Sequence, residues 1–276
     1  MRATAQRIAV AAACAAVLFL LLAASARTAA AQTPAAAAPP PPPRERLAVM
    51  VVNVKPEMAA EFDAMMKNET NPALAKAGVK WRDVWNTATF GDRFTYYIVR
   101  PVDKFADFDG LDPVEKGLGS REAYMAWLAK AGRMVNGVRT FIMNGYPEMS
   151  HMTDMKEPPK MAVVAFVSVT PGRSADYENY IKNDLLPVVK KSDVKGYWVH
   201  RTVLGGDTNE YVIVTLHDNY AELEKGPPQR RVLGPEGAMK LAQKLPAGTI
   251  AHMELIVLRL NPELTFRPNP PATSSR

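Results

Sequence analysis

The sequence predicts an α+β fold built from two tandem βαββαβ units whose sheets pack face to face within one chain. Three observations predict it. The chain matches itself without a gap at a shift of 115 residues, each copy carries the same element order, and the strands are apolar at both parities instead of alternating.

The self-match runs from 47–148 onto 162–263 and keeps one register throughout. It pairs Pro56 with Pro171, Lys67-Asn68 with Lys182-Asn183, Pro72 with Pro187, Gly91-Asp92 with Gly206-Asp207, Tyr96 with Tyr211 and Asp103 with Asp218. Two copies of a period this long indicate a duplicated domain, since solenoid repeats are far shorter. The chain therefore divides into a first repeat, 47–150, a polar joint, 151–160, and a second repeat, 161–266.

Each copy opens on a β-branched run, LAVMVVNV and AVVAFVSV, that stops at the shared proline. A helix follows, with Met58, Phe62, Met65 and Met66 on its buried face in the first copy and Tyr177, Tyr180 and Ile181 in the second. Pro72 and Pro187 stand four residues after Asn68 and Asn183, so each asparagine carbonyl loses its usual helical donor and a kink or break is expected. WRDVWNTATF with FTYYIVR, and GYWVHRTVLG with EYVIVTL, form hairpins around the Gly-Asp turns. Asp103 and Asp218 stand as helix N-caps before short helical pieces. A second helix, from about Ser120 and about Gly237, leads to the last strands, VRTFIMNGY and MELIVLRLN.

The order βαββαβ fits a four-stranded antiparallel sheet with both helices on one face, the ferredoxin-like arrangement. A sheet with one wet face alternates apolar and polar residues. Met50 to Val52, Val163 to Val167, Tyr211 to Val214 and Leu255 to Leu258 do not. Each sheet must bury its second face, and the sheet of the other copy covers it, giving an α/β barrel inside one chain.

With this unit, the proline late in the first helix (NPALAKAGV, LPVVKKSDV) and the two facing sheets, the chain resembles the dimeric α/β-barrel superfamily, in particular its NIPSNAP-like and antibiotic-biosynthesis-monooxygenase-like members. The resemblance covers the two repeats and is architectural. It implies a protein that takes a small-molecule ligand, and relatives include cofactor-independent oxygenases, isomerases and haem-degrading enzymes as well as proteins without assigned activity, so the fold alone does not choose. The alternative class is a non-catalytic cell-envelope scaffold or stress and interaction protein. Either class leaves room for a homo-oligomer.

Arg2 and Arg7 precede an unbroken apolar run from Ile8 to Ala24, followed by small residues up to Ala31. This reads as a signal peptide, 1–31, cleaved after Ala31 or Ala26, because the run is shorter than the roughly 20 residues that span a bilayer comfortably. An uncleaved anchor is the other reading, and both place the folded part outside the cytoplasm, periplasmic or secreted. Residues 32–46, rich in alanine and proline, form a linker, and 267–276 form a polar tail. The only cysteine, Cys14, lies in the apolar run, which leaves the mature chain without disulfides or thiolate ligands. The first 31 residues hold three arginines and no acid, so their removal takes the basic count from 34 to 31 against 28 acidic residues and the net charge from +6 to +3. No long Lys/Arg run remains, which argues against nucleic acid and against membrane contact beyond the export signal.

None of the four histidines, His151, His200, His217 and His252, has the spacing of a local metal site. No nucleophile with a neighbouring base, no carboxylate pair and no phosphate-binding loop is visible, so no catalytic residue is assigned. His200 is the histidine singled out, because it sits mid-strand beside Trp198 and Arg201 where the first copy has Trp85 and Asn86. It reads as a proton acceptor or haem ligand between sheet and helices, or as an edge-strand histidine holding a hydrogen bond. The sequence implies no cofactor by itself. The resemblance raises haem, since haem-degrading relatives combine Asn, Trp and His around their pocket, types supplied here by Asn183, Trp198 and His200. The expected ligand-binding set is His200, Arg201, Asn183, Tyr211 and Trp198 in the second copy. Alternation sends His200 and Arg201 to opposite faces, with His200 expected in the helix-side cavity.

Overall fold

The structure is a computed structural model and describes residues 44–155 and 158–268. The signal peptide, almost all of the linker and most of the tail read from the sequence lie outside the described residues. The strands are β1 (Arg46–Val54), β2 (Asp83–Thr87), β3 (Thr95–Pro101), β4 (Val135–Gly145), β5 (His151–Met152), β6 (Met161–Val169), β7 (Gly196–Leu204), β8 (Glu210–His217) and β9 (Ile250–Leu260). The helices are α1 (59–77), α2 (Pro113–Leu118), α3 (Arg121–Met134), α4 (174–189), α5 (Ala221–Glu224) and α6 (Pro228–Ala242).

All ladders are antiparallel. The order β4-β1-β3-β2-β9-β6-β8-β7 closes on itself through a β4–β7 pairing, so eight strands form a closed barrel. The two four-stranded halves thus do more than face each other: their edges join. Trp85 to Thr87 pair with Leu258 to Leu260 at one seam, and Ile142 to Gly145 pair with His200 to Leu204 at the other. Closure removes the open strand edges that two stacked sheets would leave.

The doubly apolar strands supply two kinds of core. Val49, Trp85, Phe141, Met143, Val164, Val212, Leu216, Ile256 and Leu258 from both halves fill the barrel interior. Residues of opposite parity meet the helices: Val52, Tyr96 and Ile98 pack with Phe62, Met65 and Met134 in the first half, and Val167, Tyr211 and Ile213 pack with Tyr177, Ile181 and Leu241 in the second.

The prolines of the first helices act as expected, and the form of the irregularity is specific. Met66–Thr70 in α1 and Ile181–Leu185 in α4 are π-helical turns, in which Asn71 N–H donates to Met66 O and Leu186 N–H to Ile181 O, five residues back. A proline cannot donate, and a wider turn just ahead of it lets the helix continue past the missing bond. Asp103 and Asp218 are not N-caps. Asp103 takes Lys80 Nζ at 2.7 Å, and Asp218 pairs with Lys195 at the matching place, so their recurrence reflects an ion pair in each half. The caps are Asp112 for α2 and Ser120 for α3.

Candidate functional site

The strand β7 decides which residues share a face. Tyr197 and Val199 are drawn into the apolar layer beneath α4, which turns Trp198 and His200 into the barrel. His200 therefore does not enter the helix-side space, contrary to the expectation from Trp85, whose own side chain also lies in the barrel. His200 is 6% exposed and stands opposite Val212, and its Nδ1 has no hydrogen-bond partner among the described residues. Burial pushes its pKa down to about 4, with a backbone interaction at Val212 opposing.

Arg201 takes the helix side and stands opposite Tyr211 in the β7–β8 ladder. Its guanidinium carbon lies 5.1 Å from the Tyr211 ring centroid, and its Nε donates to Thr208 O at 2.7 Å. The Tyr211 hydroxyl donates to Glu178 Oε1 of α4 at 2.7 Å. Arg201 Nη1 lies 3.6 Å and Lys182 Nζ 3.7 Å from the same carboxylate. Tyr211 is fully buried under Tyr177, whose ring centroid is 4.8 Å away, and burial followed by the Glu178 bond raises its pKa. It remains a neutral donor that fixes the carboxylate. Glu178, Arg201 and Lys182 keep part of their surface open. The result is an oriented, accessible carboxylate between two cations.

The first half repeats the geometry with different charges. Tyr96 donates to Asp63 Oδ1 at 2.8 Å, 115 residues before the second pair. Asn86 stands in place of Arg201 and accepts from Asn261 Nδ2 at 3.0 Å, and Lys67 is drawn to Glu263 at 3.0 Å. Asp63 makes no ion pair among the described residues, and burial above all, with Glu263 adding, raises its pKa against the Tyr96 bond. Sequence comparison missed both carboxylates because the pair is Asp against Glu, and a search for identities passes over positions 63 and 178.

Of the five residues expected to meet, the structure brings Arg201 and Tyr211 together. Trp198 and His200 lie inside the barrel, and Asn183 is exposed on α4. Haem does not fit the residues named toward it, since Asn183, Trp198 and His200 do not converge on one space. His151 pairs opposite Tyr197 in β5, His252 is exposed in β9, and His217 ends β8 with Nδ1 3.4 Å from Glu222 Oε2. Among the described residues no group of three or more His, Cys, Asp or Glu side chains can hold a metal ion, and no helix is long and apolar enough to cross a membrane.

No family model and no curated protein sequence matches the chain. Solved structures do match. An anthrone oxidase-like protein superimposes with a TM-score of 0.55 at 11% identity, covering 80% of this chain and 92% of that one. A candidate monooxygenase from Lactobacillus acidophilus gives 0.53 at 8% identity, covering 82% and 98%, and one from Fusobacterium nucleatum gives 0.52 at 14%, covering 79% and 92%. The chain has the dimeric α+β barrel fold. At these identities the likeness is one of fold.

Proposed function

We propose that this chain is an exported, single-chain member of the dimeric α/β-barrel group, of the NIPSNAP-like or antibiotic-biosynthesis-monooxygenase-like kind, formed by duplication of one ferredoxin-like unit. It binds a small molecule at the helix–sheet mouth of the second copy and performs cofactor-independent oxygenase- or isomerase-like chemistry there. The observation that carries this reading is the asymmetry of the two tyrosine–carboxylate pairs. Glu178 has Arg201 and Lys182 beside it, whereas Asp63 has neither counterpart. A carboxylate held by a buried phenol is placed to take a proton from a bound substrate, and two adjacent cations stabilise the anion that results. Returning the proton to another atom gives an isomerisation, and reaction of the anion with dioxygen gives an oxygenation. A candidate monooxygenase and an anthrone oxidase-like protein share the fold, which supports the oxygenase form of this reading.

The scaffold reading rests on one observation, the exposed apolar outer faces at Val138, Met253 and Leu255. One experiment separates the two. Mass spectrometry of small molecules carried by the purified protein, with thermal-shift screening against anthrones and hydroxyquinones, identifies a ligand whose affinity falls at least tenfold in Glu178→Gln and in Arg201→Ala. A protein that carries and binds none of these, or whose ligand ignores both substitutions, overturns the assignment. Cell fractionation tests export, which fails if the full chain stays cytoplasmic.

A further inference from the structure

A groove of about 540 Å³ opens where β6 begins and β8 and β9 end, lined by Pro159, Lys160, Tyr220, Arg259, Leu260 and Pro262 among others. It lies at the far end of β8 from Tyr211, on the order of 20 Å away by strand rise. Its volume falls in the range of small-molecule sites.

The walls are apolar and one of them is fixed. The Tyr220 hydroxyl donates to Thr89 Oγ1 at 2.8 Å and accepts from Thr89 N at 3.2 Å, and its ring meets Phe90 edge to face with centroids 6.2 Å apart. The first-copy hairpin thus holds a second-copy aromatic ring in place, which lowers the entropic cost of stacking a flat ligand on it. The charges at the groove are unbalanced. Asp218 pairs with Lys195. Lys160 Nζ has no partner among the described residues, and Arg259 has no carboxylate there, its guanidinium lying 5.9 Å from the Tyr220 centroid. In the first copy the corresponding positions are Glu45, Asn144 and Phe105, so the two cations are not a requirement of the fold.

We infer that this groove binds a flat aromatic carboxylate, with the ring body against Tyr220 and the prolines and the carboxylate between Lys160 and Arg259. An apolar lining of this extent disfavours a bare inorganic anion, and two cations without a carboxylate partner among the described residues disfavour a neutral ligand.

The test is calorimetric titration of the purified protein with 2-naphthoate, 2-naphthylmethanol and inorganic phosphate. The proposal expects naphthoate to bind, the alcohol to bind at least tenfold more weakly and phosphate not to bind. Arg259→Ala and Lys160→Ala are each expected to weaken naphthoate about tenfold, the scale of one charge-assisted hydrogen bond. Lys76→Ala, which removes an exposed cation elsewhere, leaves the affinity unchanged. Wild-type melting temperatures in these variants separate loss of the site from loss of the fold. Absence of naphthoate binding, equal binding of the alcohol, binding of phosphate as tight as naphthoate, or unchanged affinity in the Lys160→Ala/Arg259→Ala protein would each overturn it. None of these outcomes depends on the Glu178 site.

Discussion

The amide of Tyr146, just past the last strand of the first half, donates to the carbonyl of Val199 in the second half at 2.8 Å. The same bond recurs 115 residues on, from Asn261 N–H to Val84 O at 2.8 Å. Beyond each, a hydroxyl completes the match: Ser150 Oγ accepts from Val199 N at 2.9 Å, and Thr265 Oγ1 accepts from Val84 N at 3.1 Å. Each half therefore ends in an arm that crosses to the other half, and the internal repeat becomes a near-twofold exchange of arms.

The arms carry core residues, which gives the first prediction. Met149 is fully buried in the helix-side core of the second half, and Leu264, its counterpart, is buried in that of the first. Leu264→Ala and Met149→Ala should each cost about 2–5 kcal/mol in urea denaturation. Met253→Ala, at a side chain 45% exposed, should stay within about 0.5 kcal/mol of wild type.

A second prediction concerns two helical glycines that differ only in their surroundings. A Cβ on Gly117 in α2 would lie 1.9 Å from the carbonyl oxygen of Ala73 in α1, a contact between backbones that no side-chain rotation relieves. A Cβ on Gly132 in α3 meets nothing within 4 Å. Gly132→Ala should stabilise by about 0.5–1 kcal/mol through helix propensity, and Gly117→Ala should destabilise by at least about 1–3 kcal/mol. Melting temperatures moving in opposite directions confirm the pair.

The barrel was legible in the sequence because strand parity is a local property: residues such as Val163 to Val167, apolar at both parities, can only lie between two covered faces. The π-turns were legible as a break, since Pro72 and Pro187 remove a donor whatever the tertiary context. The facing of His200 was not. That required knowing which face of β7 α4 covers, and Tyr197 and Val199 settle it through packing with residues far along the chain. The Glu178 carboxylate was hidden for a different reason. An acid on a helix is ordinarily solvated, and only the fold shows Tyr211 directed at it.

The two tyrosine–carboxylate pairs should respond differently to loss of the phenol. Tyr211→Phe leaves Glu178 with Arg201 and Lys182, so the cost should be near that of one hydrogen bond, about 1 kcal/mol. Tyr96→Phe leaves Asp63 half-buried beside Glu263 without a cation among the described residues, and its already raised pKa should rise further. A carboxyl group with a raised folded-state pKa destabilises the fold while ionised and stops doing so once both states are protonated. The penalty of Tyr96→Phe should therefore exceed that of Tyr211→Phe at pH 7 and shrink toward it below pH 4. Carboxyl-carbon titration by NMR should show the Asp63 shift directly.

The buried His200 sets an acid limit on stability. Its folded-state pKa of about 4 lies below the roughly 6.5 of an exposed histidine, because burial inside the barrel strips the charged imidazole of solvent. Between these values the unfolded chain binds more protons than the folded one, so unfolding free energy rises with pH across this window. The contribution is complete above about pH 6.5 and is lost as pH falls toward 4, amounting to about 3 kcal/mol. His200→Leu removes the titrating group at similar volume and should flatten this part of the profile. His217, whose pKa is also lowered, chiefly by burial, contributes in the same direction in both proteins and cancels in the difference. Denaturation of wild type and His200→Leu at intervals from pH 3.5 to 8 should give a stability difference that changes by about 3 kcal/mol between pH 4 and 6.5 and is constant above. A difference independent of pH would show that His200 protonates in the folded protein as freely as in the unfolded chain, which its position inside the barrel forbids.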